Sequence, residues 1–166
     1  MSVEKRKTVV TGMGALSPIG KSVAEMWESI QAGRSGAGPI THFDASEYAT
    51  KIAAEVKDFT PSDYMDKRDA RKMDRFSQFA VAATGEALRD AGLMGEDGKL
   101  AESFRERTAI VLGVGVGGFE SFENSMQSLI ERGPSRVPPM TIPKIITNIA
   151  PGNVGIIYDI QGPAYS

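Results

Sequence analysis

Cysteine is absent from the 166 residues of the chain, and histidine occurs only once, at His42. The first absence excludes disulfide bonds, thiolate metal ligands and a cysteine nucleophile within this sequence. The second excludes a metal site built from several histidines, and a lone histidine in a loop is usually structural. No Ser/His/Asp arrangement, Walker loop or paired-carboxylate signature is visible. We therefore expect neither a bound metal nor a cofactor.

Long apolar stretches are also missing. No run approaches the roughly 20 residues that a membrane-spanning helix requires. The charged start Met1–Lys7 is soon followed by Gly12, Gly14 and Pro18 rather than by the apolar core of a signal peptide. The formal net charge is only −2, so neither nucleic acid nor a membrane surface is indicated as a partner. We expect a soluble domain of the cytoplasm.

The most informative stretch present is Thr108–Gly118, where four apolar residues run into a cluster of glycines. An unbroken apolar run predicts a strand that is covered on both faces, as in a parallel sheet. Glycine allows the following turn to bend sharply and lets another group approach the bare backbone. A helix is predicted directly after Gly118. Strand, glycine turn and helix in this order indicate an α/β protein with a site at the carboxyl end of its sheet.

The glycine turn also fits the dinucleotide-binding pattern G-x-G-x-x-G, through Gly113, Gly115 and Gly118. That fold needs a second strand ending near an acidic residue about 20 positions further on. Here the corresponding region is Pro138-Pro139, with no predicted strand before it. A structural turn, or a turn fitted against a different ligand, is the better interpretation. A nicotinamide-dependent oxidoreductase stays as the alternative from another class.

Other local patterns predict short elements before this stretch. The β-branched run Thr8–Thr11 predicts a strand that leads into Gly12-Met13-Gly14. Ser22–Glu25 has the form of a capping box and predicts a helix that ends at Gly33. Trp27 on that helix is expected to pack in the core. Ile52–Val56 predicts a short edge strand.

Four further helices are predicted, from apolar periodicity and from the position of a proline. Asp66–Ala91 is expected to form one helix with a stripe of mostly small residues, namely Met73, Phe76, Ala80, Ala83 and Ala87. The helix after Gly118 is expected to bury one apolar face, formed by Phe119, Phe122, Met126, Leu129 and Ile130. Ile142–Ile149 is expected to be helical, and Pro151 suits the first turn of a further helix at Gly152–Tyr158.

Three cations, Arg68, Arg71 and Lys72, have the i, i+3 and i+4 spacing that places them on one helix face. Asp66, Asp69 and Asp74 alternate with them and could neutralise the charge. A solvated face and a docking patch for an acidic partner are both open from these residues alone. At the other end of the chain, Ala164–Ser166 has the pattern of a strand that begins as the sequence stops. We therefore expect a fragment of a larger protein rather than a finished domain.

Several of these pieces occur in the same order in one known family. The chain resembles the amino-terminal half of an elongating β-ketoacyl-acyl carrier protein synthase, with the closest likeness to synthase II. The matching stretches, which span nearly the whole sequence, are Val9–Gly20, His42–Asp44, Arg71–Phe76, Gly113–Gly118, Ile142-Pro143 through Asn148, and Gly162-Pro163.

The resemblance implies a thiolase-like fold, in which two similar α/β halves stack into five layers, with residues 1–166 forming the first half. It implies a decarboxylating Claisen condensation in fatty acid elongation. A cysteine would hold the acyl chain as a thioester, and malonyl-carrier protein would lose carbon dioxide and attack it. That cysteine would follow shortly after Ser166, and two histidines and a lysine of the second half would assist. The given residues would then hold no catalytic group and be inactive alone.

The resemblance also assigns roles within the chain. Val116 takes the position of a residue that controls entry to the acyl pocket, although a core valine would suit the same place. Met140 and Thr141 match two pocket-shaping positions that are aromatic in relatives, so we expect a different pocket contour here. Arg68, Arg71 and Lys72 match basic positions that meet the acyl carrier protein. The expected partners are this carrier protein, the carboxyl-terminal half and a second subunit in a homodimer.

Two related functions stay open at this point. One is a chain-length factor, in which the cysteine is replaced and catalysis is lost. The other is the ketosynthase domain of a polyketide synthase. The residues that follow Ser166 would show whether the chain is a chain-length factor. Titration with NADH would test the alternative of a nicotinamide-dependent oxidoreductase.

Overall fold

A computed structural model describes residues 7–166, so the charged start of the chain lies largely outside the described residues. The helices in chain order are α1 Val23–Gln31, α2 Lys67–Ala70, α3 Arg75–Asp90, α4 Phe119–Arg132, α5 Thr141–Ile145 and α6 Ile149–Tyr158. The strands are β1 Ala37–Pro39, β2 Ile52–Ala54, β3 Ile110–Val111 and β4 Ala164–Tyr165. In this part of the chain, every helix is too short or too polar to cross a membrane.

The core lies between helices α3 and α6. Its buried members come from these two helices and the segments around them, namely Met73, Val81, Leu88, Leu100, Val154 and Tyr158. The Tyr158 hydroxyl donates a 2.8 Å hydrogen bond to the carbonyl oxygen of Val81 on α3. Burial raises the pKa of Tyr158 above its ordinary value. This phenol therefore stays neutral and links the two helices of the core.

The four strands form two small sheets. Strands β1 and β2 pair antiparallel as a hairpin, with Gly38 opposite Ala53, which confirms an edge strand near Ile52. Strands β3 and β4 pair parallel, with Ile110 opposite Ala164 and Val111 opposite Tyr165. The predicted parallel pairing at the glycine turn is thus confirmed. Coverage of both strand faces is not seen in residues 7–166, because the Val111 side chain is 81% exposed.

The prediction of a strand at Thr8–Thr11 is wrong. In the described chain this segment pairs with no strand, and the side chains of Val9 and Val10 are exposed. The residues just after it contact α3. The backbone N–H of Met13 donates to the Asp90 carboxylate, and that of Ala15 donates to Glu86, both at 2.8 Å. These bonds fix the backbone that follows the predicted strand to a helix, and the described chain supplies no neighbouring strand for Thr8–Thr11 itself.

The prediction of one continuous helix over Asp66–Ala91 is also wrong. Helix α2 ends at Ala70, and α3 starts anew at Arg75. The reason is Asp74, whose side chain accepts a hydrogen bond from the backbone N–H of Phe76 and so caps α3. An N-cap residue takes extended rather than helical backbone angles, so it separates the two helices.

Local capping signals were more reliable elsewhere. Ser22 caps α1 by accepting a hydrogen bond from the N–H of Glu25, and α1 is followed by Gly33 at φ +64°. Trp27, however, is 57% exposed, so its predicted core role is wrong for these residues. Pro151 lies in the first turn of α6 as predicted, although α6 begins earlier than Gly152. Helix α5 ends at Ile145 rather than continuing to Ile149.

Candidate functional site

The glycine turn joins β3 to α4, and the end of helix α5 packs against it. The backbone N–H of Gly118 donates to the carbonyl oxygen of Ile145 at 3.1 Å. A side chain at Gly118 would overlap the carbonyl oxygen of Lys144, and one at Gly117 would overlap that of Ile145. Gly117 also has φ +92°, a backbone conformation that L side chains rarely adopt. The glycines thus allow direct backbone contact between this turn and α5.

An open groove of about 440 Å³ lies where the glycine turn, α4 and the end of α5 meet. Most of its lining is apolar, from Val116, Gly118, Phe119, Phe122, Ile145, Ile146 and Thr147. Val116 is 70% exposed and forms one wall. It is therefore accessible at the groove rather than packed as a core valine.

We predicted that the apolar face of α4 would be buried, and for the described residues this prediction is wrong. Phe119 is 64% exposed and Ile130 is 78% exposed. Phe119 and Phe122 instead line the groove. Periodicity alone could not have shown this, because an amphipathic pattern marks an apolar face but not what covers it.

The end of strand β4 lies at the same edge of the sheet as the glycine turn. The backbone N–H of Leu112 donates to the carbonyl oxygen of Tyr165 at 3.0 Å. The Ser166 hydroxyl lies 3.4 Å from that of Thr147, which lines the groove. Because β3 and β4 are parallel, their carboxyl ends meet beside the groove, where α/β proteins place ligands.

The other two predicted pocket residues lie at the opposite end of helix α5. Met140 immediately precedes α5 and is exposed, and Thr141 is its first residue. Neither lines the groove that contains Val116. Thr141 instead contacts Ser125 on α4, with 2.8 Å between their hydroxyl oxygens. Val116 therefore lies near the carboxyl end of α5, whereas Met140 and Thr141 lie at its amino end.

The predicted docking residues do lie together. Arg68, Arg71 and Lys72 surround a shallow polar depression with Asp66, Asp69 and Lys67. Lys72 forms a 2.8 Å ion pair with Asp69, and Asp66 caps α2 through the N–H of Arg68. The three cations belong to α2 and the turn after it, not to the first turns of one long helix. Lys67 also lines the depression, although the predicted docking set of three cations did not include it.

Asp74 connects this basic segment to the groove. Its side chain is buried, and Oδ2 accepts a 2.9 Å hydrogen bond from the backbone N–H of Ser121, 47 residues away. Ser121 lies in the first turn of α4. One carboxylate therefore caps α3 and holds α4 in place, a role that sequence reasoning had reduced to neutralising nearby cations.

His42 lies on an exposed loop and does not line the groove. Among residues 7–166, no cluster of three or more His, Asp or Glu side chains could hold a metal ion. The candidate site is therefore an apolar groove with a basic surface nearby.

Residues 5–166 match the family described as "Beta-ketoacyl synthase, N-terminal domain". The chain belongs to this β-ketoacyl synthase family. A curated relative, the 3-oxoacyl-[acyl-carrier-protein] synthase 2 of Coxiella burnetii, is 42% identical over 164 residues. That alignment covers 99% of this chain but 38% of the relative. The β-ketoacyl synthase domain described here thus spans well under half the length of this relative.

Solved structures confirm the thiolase-like ketosynthase fold. The ishigamide ketosynthase/chain length factor matches this β-ketoacyl synthase domain with a TM-score of 0.80 and 30% identity, covering 95% of this chain and 39% of that one. A type II polyketide ketosynthase, solved in complex with its acyl-carrier protein, matches with a TM-score of 0.72 and 22% identity. It covers 94% of this chain and 40% of its own. At that identity the second likeness supports the fold alone.

Proposed function

We propose that the chain is the amino-terminal half of a β-ketoacyl-acyl carrier protein synthase that elongates fatty acyl chains. The observation that carries the proposal is the 42% identity to a 3-oxoacyl-acyl carrier protein synthase 2 across 99% of the chain. The apolar groove at the carboxyl ends of β3 and β4 agrees with it, because an acyl chain needs an apolar wall close to the reacting group.

In the proposed reaction, a cysteine that follows β4 takes an acyl group from carrier protein as a thioester. A cysteine at the amino end of a helix has a lowered pKa and is a better nucleophile at neutral pH. Malonyl-carrier protein then loses carbon dioxide, and the electron pair left on carbon attacks the thioester carbonyl. The new carbon–carbon bond forms as the cysteine thiolate leaves. Residues 7–166 contribute the wall of the site and a docking surface.

The partners of the proposed enzyme follow from its surfaces. The basic depression around Arg68 and Arg71 suits an acidic carrier protein, since opposite charges steer association. Exposed apolar side chains on α4 and β3, such as Ile130 and Val111, suit cover by the carboxyl-terminal half and by a second subunit. A homodimer and a cytoplasmic location are parts of the proposal that come from the family resemblance.

A second function is favoured by one specific observation. The ishigamide ketosynthase/chain length factor is 30% identical to this chain with a TM-score of 0.80. A polyketide ketosynthase or a non-catalytic chain-length factor is therefore the alternative. A cysteine on the turn after β4 would distinguish a catalytic synthase from a chain-length factor. The preferred acyl substrates would distinguish a fatty acid synthase from a polyketide enzyme. A nicotinamide-dependent oxidoreductase would reveal itself by binding NADH.

The test of the proposed function is condensation by the intact enzyme that contains this sequence. We expect product from acyl- and malonyl-carrier protein, and loss of product when the proposed cysteine is replaced by alanine. The 166-residue chain alone is expected to give none, because it contains no cysteine. Turnover by the isolated chain, or by the cysteine-free enzyme, would contradict the proposed role of that thiol.

Replacing Val116 by phenylalanine is expected to block long acyl chains. Val116 forms a wall of the groove beside Phe119 and Phe122, so a phenyl ring there fills apolar space that a chain would occupy. We expect acyl loading of the intact enzyme with long chains to fall at least about tenfold, since overpacking costs about 1–3 kcal/mol. Short chains should load normally. Mass spectrometry of the acyl-enzyme measures both, and Val116→Ala is the matched control that leaves the groove open.

A further inference from the structure

Two hydroxyl groups, one of them buried, connect helix α4 with the start of helix α5. Ser125 is buried on α4, and its Oγ lies 2.7 Å from the carbonyl oxygen of Ser121 and 2.8 Å from Oγ1 of Thr141. Thr141 Oγ1 lies 2.7 Å from the carbonyl oxygen of Pro138. Each of these distances is typical of a hydroxyl hydrogen bond.

Two hydroxyl groups supply only two hydrogen atoms for these three contacts. Both carbonyl oxygens already have a backbone donor. The N–H of Thr141 donates to Pro138 at 3.1 Å, and Ser121 accepts the regular bond of helix α4 from four residues further on. Neither carbonyl therefore depends on a hydroxyl. One hydroxyl can turn toward the other, so Ser125 and Thr141 can share a hydrogen bond in either direction.

This contact matters because helix α5 is short. It has five residues, Thr141–Ile145, and a single turn of helix has little stability of its own. Its far end is held by the bond from Gly118 to Ile145 at the glycine turn. The Ser125–Thr141 pair holds its near end. Ser121, one turn before Ser125, is in turn fixed by the buried Asp74.

We propose that Ser125 is a positioning residue for the acyl pocket. Its hydroxyl fixes Thr141, and through Thr141 it sets the position of α5 relative to the groove. The inference rests on the proposed function, because it requires the groove, which Ile145 at the far end of α5 lines, to hold an acyl chain. Ser125 itself touches no substrate, since it is buried behind the first residue of α5.

The test is the chain-length profile of the intact enzyme carrying Ser125→Ala. We expect kcat/KM to fall about fivefold for acyl chains long enough to reach Ile145 in the groove, the effect of one lost neutral hydrogen bond. Shorter chains should keep the wild-type value. Thr141→Val should give the same profile, and Thr141→Ser, which retains the hydroxyl, should restore the wild-type profile. The double variant Ser125→Ala/Thr141→Val should be no worse than either single variant, because both remove the same contact.

Ser128→Ala is the matched control, because Ser128 lies on the same helix and is only partly buried. It should leave the profile unchanged. An even loss at all chain lengths, or an unchanged profile, in both Ser125→Ala and Thr141→Val would overturn the inference while leaving the proposed function intact. A wild-type enzyme that condenses no acyl substrate would instead refute the proposed function, and the inference with it.

Discussion

Reversing the charge of Arg68, Arg71 and Lys72 to glutamate is expected to raise the Michaelis constant for carrier-protein substrates about a hundredfold at low salt. An exposed ion pair contributes up to about 1 kcal/mol, and three reversed contacts replace attraction with repulsion against an acidic partner. The turnover number should change little, because the groove is formed by α4, α5 and the glycine turn rather than by this surface. Steady-state kinetics with increasing salt measures the effect, which should shrink as salt screens the charges.

A second triple variant controls for total charge. Arg34, Lys51 and Lys57 are also exposed cations, and none of them lines the basic depression. Changing them to glutamate alters the net charge by the same amount. We expect this variant to keep a near-normal Michaelis constant. Equal effects in the two variants would show that overall charge, not the depression, guides the carrier protein, and no effect in either would reject docking there.

The three cations should not contribute equally. Lys72 already forms an ion pair with Asp69 at 2.8 Å. In residues 7–166 neither Arg68 nor Arg71 forms such a pair, so their charges face solvent without compensation from a neighbouring carboxylate. Arginine also binds carboxylate and phosphate groups through two donors at once. Single substitutions to glutamine should therefore weaken binding more at Arg68 or Arg71 than at Lys72.

Local chemistry in the sequence predicted those parts of the fold that depend on neighbouring residues. The apolar run before Gly113 predicted β3 and its parallel pairing, which the match of Ile110 with Ala164 confirms. Ser22 predicted the start of α1, and Pro151 predicted a first helical turn. Each signal acts within a few residues through backbone angles or a capping hydrogen bond.

Features set by distant residues could not be predicted in this way. Thr8–Thr11 has strand propensity, but the carboxylates of Glu86 and Asp90 bind the backbone just after it. Asp74 looked like one charge among several, yet it is buried and bonded to Ser121 on another helix. Periodicity placed Trp27 on an apolar face but could not show whether anything covers it.

The residues proposed for the site differ in how local their signals are. Val116 was also assigned by resemblance, and it lies on the glycine turn that the sequence singled out and lines the groove. Met140 and Thr141, assigned by the same resemblance, lie at the other end of α5. Ser125 was not predicted at all. A serine within a helix carries no signal of its own, and only the packing of α4 on α5 reveals its contact with Thr141.

Replacing Gly14 by alanine is expected to destabilise the protein by about 3–5 kcal/mol, through overpacking and the loss of a charged hydrogen bond. The added methyl group would overlap the carbonyl oxygen of Ala83 and the amide nitrogen of Ala87 on α3. These are backbone atoms of a core helix, so no side chain can turn aside to make room. Moving the segment away would also break the 2.8 Å bond from Ala15 to Glu86. The free energy of unfolding in urea measures the effect.

The same substitution elsewhere separates lack of space from the general effect of removing a glycine. Gly38 on β1 has open space where a methyl group would go, and its φ is not left-handed. Gly38→Ala should therefore be neutral or slightly stabilising, because alanine reduces the freedom of the unfolded chain. Gly12→Ala should resemble Gly14→Ala, since its methyl group would overlap the carbonyl oxygen of Ala87. If all three variants unfolded at the same urea concentration, close packing of this segment on α3 would be disproved. A loss confined to Gly12 and Gly14 would show that the two glycines are needed for backbone contact with α3 rather than for a turn after a strand.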